Sequence, residues 1–261
     1  SVKLGIISKV KCLYDFLKML FSKKEHSEPT IDAPIEIEDE VTLETPKVVE
    51  PQYPNVKILI DNGHGNNTGG KRSPYSFCKV KPAIDFYEYK WNREIAKPIV
   101  DGLKELGYNA DLLVTEDIDI SLTERANRVN KICAEYGSGN VILISVHANA
   151  AGNGQKWMTA KGWSAFTTKG NTKSDKIAEY LYAEAEKNFV GRKIRTDKSD
   201  GDKDWETNFY VCQKSKCPAV LTENFFYDNE DDVKYILSEE GRKAVIKTHI
   251  DGIINYIKNT Y

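Results

Sequence analysis

The chain has 261 residues, with 37 lysines and arginines against 39 aspartates and glutamates and a formal net charge of −2. That balance argues against nucleic acid as a main partner, which would call for a basic surface, and the length suits one α/β domain of about 200 residues plus an appendage, or two small domains. Five scattered cysteines (Cys12, Cys78, Cys133, Cys212 and Cys217) form no close pair, so neither a disulfide framework nor a cysteine zinc site is indicated, and no apolar run reaches the roughly 18 residues of a transmembrane helix.

Residues 1–24 carry six lysines and one aspartate, and Ile6, Val10, Leu13, Leu17 and Leu20 recur at three- and four-residue steps. The spacing predicts a basic amphipathic helix that docks on its own domain or a protein partner, or lies on an anionic membrane surface. Lysines at 3, 9, 11 and 18 leave no charge-free apolar core of the kind a secretory leader needs. Residues 25–55 hold nine acidic residues and five of the nine prolines, which is the composition of an extended linker. The folded domain is expected over 56–261.

From Val56 onward strands and helices alternate. Val56 to Ile60 is an aliphatic strand that stops on Asp61-Asn62-Gly63-His64-Gly65. A polar loop follows from Asn66 to Pro82, then a helix from about Tyr87 to Leu106 with Gly107 as its C-cap. Asn109 to Val114 reads as a strand. Ser121 to Glu124 reads as a capping box that opens the next helix. Val141 to Val146 is a second aliphatic strand, ending on His147-Ala148-Asn149-Ala150. Strands are expected at 162–168, 209–212 and 218–223, and helices at 171–189, 230–237 and 239–257. Such alternation predicts an α/β fold, a mostly parallel twisted sheet of about six strands with helices on both faces, preceded by the N-terminal helix and linker.

His64, His147 and Glu223 all close apolar strands. The carboxyl ends of neighbouring parallel strands share one edge of the sheet, where residues far apart in sequence can meet. A catalytic zinc site takes three nitrogen or oxygen ligands and keeps one position open for water. Two histidines supply two of them. Of the other histidines, His26 lies in the linker and His249 lies mid-helix, where a satisfied or surface histidine is the plainer reading. A carboxylate is then the expected third ligand, with Asp85, Glu88 and Glu94 as candidates. The helical repeat favours Glu88 modestly, and that residue could equally serve the helix dipole.

At these residues the chain resembles the zinc-dependent N-acetylmuramoyl-L-alanine amidases of the type 3 catalytic domain, over roughly Lys57 to Tyr256. The resemblance rests on Asp61-x-Gly63-His64-Gly65, on Glu88-x-x-x-Asn92, and on Leu122-x-x-Arg125-x-x-x-Val129-Asn130. It continues in Ser145 to Ala150 and in Cys217 to Glu223, before Phe226 and Asn229. Carried over position by position, it implies His64, Glu88 and His147 as ligands of one Zn²⁺ and Glu223 as the catalytic carboxylate. The implied reaction is hydrolysis of the amide between N-acetylmuramic acid and L-alanine of peptidoglycan, with Glu223 as general base and then acid. The chain departs from the pattern at Asn62, at Asn224-Phe225, which is expected to reshape the pocket wall, and in the Asn66–Pro82 loop.

Asp61 and Asn149 are candidates to orient the ligating histidines, turn formation being the alternative. Lys71, Arg72, Lys79 and Arg192 are candidate cations near the reacting centre. Trp157, Trp163 and Trp205 could meet glycan, although core or loop anchoring is commoner for such residues. Two competing functions are a zinc peptidase on a similar scaffold, which would want a cocatalytic metal pair, and an inactive wall-binding or regulatory module. The implied substrate places the activity at the cell wall, reached as a phage-type lysin or as an exported mature form.

Overall fold

The computed structural model describes residues 52–261. The expected helix over 1–24 and all but the last four residues of the expected linker lie outside the described residues. Those four are tied to the domain. The Gln52 amide donates to the Gly107 carbonyl at 3.2 Å, and the Tyr53 ring stacks on Tyr108 with centroids 6.0 Å apart.

Six strands form one sheet: β1 (Lys57–Asn62), β2 (Ala110–Leu112), β3 (Val141–Asn149), β4 (Ser164–Thr167), β5 (Trp205–Glu206) and β6 (Ala219–Phe226). Their order is β2-β1-β3-β6-β4-β5. The first four in that order run parallel, β4 is antiparallel to β6, and β5 is parallel to β4. The helices are α1 (Pro74–Cys78), α2 (Glu88–Glu105), α3 (Leu122–Tyr136), α4 (Lys173–Asn188), α5 (Tyr210–Lys214), α6 (Glu230–Leu237) and α7 (Glu239–Thr260). All six residues of β1 are buried, as expected of a central parallel strand covered on both faces.

Side-chain alternation assigns the helices to faces. Leu59, Leu143 and Leu221 share a core with Val129 and Cys133 of α3 and Val211 of α5. Their sequence neighbours point the other way, where α2, α4 and α7 pack together. Thr222 is one of these, and its hydroxyl meets His249 Nε2 of α7 at 2.9 Å. His249 Nδ1 lies 2.8 Å from the Val245 carbonyl, which only accepts, so the proton sits on Nδ1 and Nε2 accepts from Thr222. His249 is thus a satisfied core histidine. The two rims of the sheet are short, three residues in β2 and two in β5.

Three local expectations change. The segment expected as a strand at 209–212 is helix α5, which packs on α3. The polar loop contains helix α1, opened by Ser73 as N-cap and Pro74 at its first position. Ser121 caps α3 by accepting from the Glu124 amide at 3.2 Å, but the Glu124 carboxylate turns to Arg128 rather than back to the cap. A reciprocal box forms instead at Thr172 and Asp175 of α4.

Burial pushes the His249 imidazole down to about 4 from its ordinary 6.5. The unfolded chain binds a proton below pH 6.5 that the folded chain refuses, so this contribution to stability is complete above 6.5 and is lost as the pH falls toward 4. Urea unfolding at pH 7.5 and 4.5 is expected to show a loss about 2 kcal/mol larger in wild type than in His249→Gln.

Candidate metal centre

β1 and β3 lie in register, Asp61 beside Ser145 and Asn62 beside Val146, and β3 sets His147 beside Glu223 of β6. The ends of three strands therefore converge on one edge. Beyond β1 the Gly63 amide still donates to the Val146 carbonyl at 3.3 Å. His64 then takes a left-handed backbone with φ of 65°, which costs a non-glycine residue about 1 kcal/mol. A buried guanidinium holds that turn. Arg125 has five N–H groups and five acceptors: Asp61, the carbonyls of Asn62 (3.2 Å), His64 (3.3 Å) and Ile120 (2.8 Å), and Asp119 (3.1 Å). Arg93 adds a second donor to the His64 carbonyl at 3.0 Å.

Glu88 opens α2, and its amide donates to the Lys71 carbonyl at 2.9 Å. Its side chain is almost wholly buried between the two imidazoles. Oε1 lies 3.0 Å from His147 Nδ1 and Oε2 lies 3.3 Å from His64 Nε2. Oε1 also accepts from the Ala148 amide at 3.2 Å. The two rings stand perpendicular with centroids 4.9 Å apart. One turn on, Asn92 donates to the Gly63 carbonyl at 3.1 Å and locks α2 to the strand end. Of the alternative third carboxylates, Asp85 accepts from the Ser76 hydroxyl at 2.8 Å and Glu94 pairs with Arg242. Neither joins the histidines.

The donor set suits a divalent cation. Two imidazoles and one carboxylate offer ligand atoms that all lie within 4.8 Å of one another, and neutral nitrogen with ionised oxygen is a donor mix that zinc accepts. Glu223 lines the same cavity, and its Oε2 is shut from solvent without a hydrogen-bond partner. Two carboxylates converging on one buried edge need a positive charge between or beside them, or a proton on one of them.

Their electrostatics diverge. Burial works against the charge of Glu88, but hydrogen bonds with His147 and His64 outweigh it and hold the carboxyl below the ordinary range. For Glu223, burial first and the charge of Glu88 second push the carboxyl well above the ordinary range, with Lys71 and Arg195 pulling back.

The cavity has a volume of about 790 Å³. Of the four candidate cations, only Lys71 lines it. Arg72 lies over Phe77, Lys79 over Tyr75 and Arg192 over Tyr235. No tryptophan lines it either. Trp163 is buried and donates to Asn224 at 2.8 Å, and Trp157 donates to the Val80 carbonyl at 3.3 Å.

Asp61 binds no imidazole but takes Arg125 and the Ser145 hydroxyl (2.6 Å), and Asn149 Oδ1 accepts from the Ala150 amide. Asn224 and Phe225 do not form the pocket wall. Both are buried, Phe225 at a φ of 69°, and Asn224 donates to the His147 carbonyl at 2.9 Å. They build an irregularity in β6 that spans the register shift between His147 and Asn149. Asp228, between Phe226 and Asn229, is not among the residues singled out from the sequence. Its carboxylate accepts from the Ala151 and Gly152 amides at 2.9 and 2.8 Å and shapes the loop beside the cavity. A second group of carboxylates, Asp175, Asp202 and Asp204, lines no part of this cavity. Burial pushes Asp204 up to about 7, and the Thr167 hydroxyl donates to it at 2.6 Å.

Residues 58–255 match the family described as N-acetylmuramoyl-L-alanine amidase. The chain is similar to the N-acetylmuramoyl-L-alanine amidase CwlM of Bacillus licheniformis, 28% identical over 201 residues that make up 76% of this chain and 67% of that protein. It is also similar to the endolysin of Bacillus phage SPP1, 25% identical over 202 residues, 75% of this chain and 64% of the endolysin. The chain thus spans about two thirds of the length of these relatives. Among solved structures it resembles the N-acetylmuramoyl-L-alanine amidase from Clostridium difficile 630, with a TM-score of 0.65 and 25% identity, covering 79% of this chain and 98% of that one.

A side chain at position 63 has no room. A Cβ on Gly63 would fall 2.0 Å from His147 Cε1. Gly63→Ala is therefore expected to displace the His147 ring and weaken binding of an added divalent metal ion by about 10-fold or more, measured by competition with a chromogenic chelator, while the far-ultraviolet circular dichroism stays at wild type.

Proposed function

The chain belongs to the N-acetylmuramoyl-L-alanine amidase family, enzymes that hydrolyse peptidoglycan, and we propose that in it His64, Glu88 and His147 hold one zinc ion while Glu223 carries the proton. The observation that supports this most directly is the pairing of one carboxylate with both imidazoles while a second carboxylate beside it stays unpaired. Zinc, when bound, supplies a Lewis acid that polarises the scissile carbonyl and acidifies water.

The rest of the chemistry belongs to side chains. Glu88 is held ionised between its two imidazoles and so suits a ligand. Glu223 lies in a setting that raises its affinity for a proton, which suits a carboxylate that takes a proton from the attacking water and returns it to the leaving nitrogen of L-alanine. Neighbouring carboxylates whose environments push their affinities for a proton apart are the usual mark of divided roles. Arg125 and Arg93 fix the His64 carbonyl, and Asn224 fixes the His147 carbonyl, so both imidazoles are presented from anchored backbone. The cell wall is the place of action.

Glu223→Gln is expected to keep wild-type zinc content and lose about 1,000-fold or more in kcat. His64→Ala should lose both metal and activity. Digestion of purified sacculi, with mass spectrometry of the released peptides, should show new L-alanine amino termini that disappear in both variants and after chelation. New amino termini from within the stem peptide would indicate a peptidase instead.

A further inference from the structure

The cavity straddles the carboxyl edge of the sheet, and its two walls differ in chemistry. On the α3 and α5 side it is lined by Ile120, Leu122, Phe209 and Tyr210. The cation on that side, Arg125, is fully committed to its five acceptors. On the α2 side the wall is Gly69, Gly70 and Lys71.

Lys71 differs from the neighbouring cations. Its ammonium is exposed, and no hydrogen-bonding or ion-pairing partner for it occurs among the described residues. Its backbone is nevertheless anchored. The Lys71 carbonyl accepts from the Glu88 amide at 2.9 Å, the Arg72 amide donates to the Gly70 carbonyl at 2.9 Å, and Arg72 bridges to Tyr87. The side chain therefore projects from a fixed point beside the metal ligands. Its charge is felt at Glu223, yet among the described residues no carboxylate pairs with it.

The two glycines before it have an outward purpose. A Cβ on either would meet nothing within 4 Å, so neither is needed for internal close packing, although Gly70 does require its φ of 79°. They leave open space against the wall that carries the free ammonium.

We propose that Lys71 is a specificity residue that binds a carboxylate of the stem peptide, so that the peptide end of the substrate lies along the Gly69-Gly70-Lys71 wall. This rests on the amidase reading above. Among the described residues an anionic group has one free cation to meet in the cavity, and it stands on the α2 side. The wall opposite offers a carboxylate only the hydroxyls of Ser121 and Tyr210 and no uncommitted cation.

The test uses two soluble disaccharide tripeptides that differ only in a free carboxylate or a carboxamide on the second residue of the stem. For the carboxylate form, Lys71→Met is expected to raise KM about 10-fold with kcat within about twofold. For the carboxamide form both constants should stay within about twofold, and Lys71→Arg should restore most of the affinity for the carboxylate form. Equal loss of kcat on both substrates would overturn the proposal by making Lys71 part of the reacting centre. No change on either would overturn it as well. A wild-type enzyme that cleaves neither compound nor sacculi would overturn the amidase reading, and this inference with it.

Discussion

The site hangs on a cation that belongs to the protein itself. Arg125 is buried, and each of its five N–H groups has an acceptor drawn from β1, the turn after it, and the loop before α3. Removing one partner of a buried ion pair typically costs 3–5 kcal/mol, roughly. That exceeds the strain of about 1 kcal/mol in the left-handed turn at His64, so the turn persists because the network over-determines it. A lysine could not replace this geometry, since it has three donors on one nitrogen rather than a planar fork.

Around that anchor the fold separates two acids that the sequence places 135 positions apart. Glu88 comes from a helix start and is enclosed by imidazoles. Glu223 comes from a strand end and is buried, with Lys71 and Arg195 as the cations that act on it. The same functional group thereby acquires opposite proton affinities without any difference in its own chemistry. Burial acts against ionisation at both positions, and the neighbours decide the outcome.

Much of this was legible in the residues. The aliphatic runs before His64 and His147 marked buried strands, and their shared edge followed from parallel pairing. Periodicity favours Glu88 only modestly, because the helical repeat says which side chains share a face and not which face meets the strand ends. Its choice came from the family resemblance. The segment 209–212 misled because a short apolar run has no period of its own, and its helical form is decided by packing on α3. Helix α1 had a readable signal in Ser73-Pro74, an N-cap followed by proline at the first helical position. The isolation of Lys71 could not be read, because a sequence names cations but not the carboxylates that neutralise them in space.

The short rims of the sheet carry a separate consequence. An open sheet can grow by accepting another strand along its edge. Here an incoming chain would find three residues of β2 on one side and two of β5 on the other. On β2 it would also meet Asp111, which is paired with Lys57 and Lys104 and keeps charge at the border. Among the described residues so few backbone groups give a foreign strand little to pair with, which is a common protection of open sheets against edge-to-edge association.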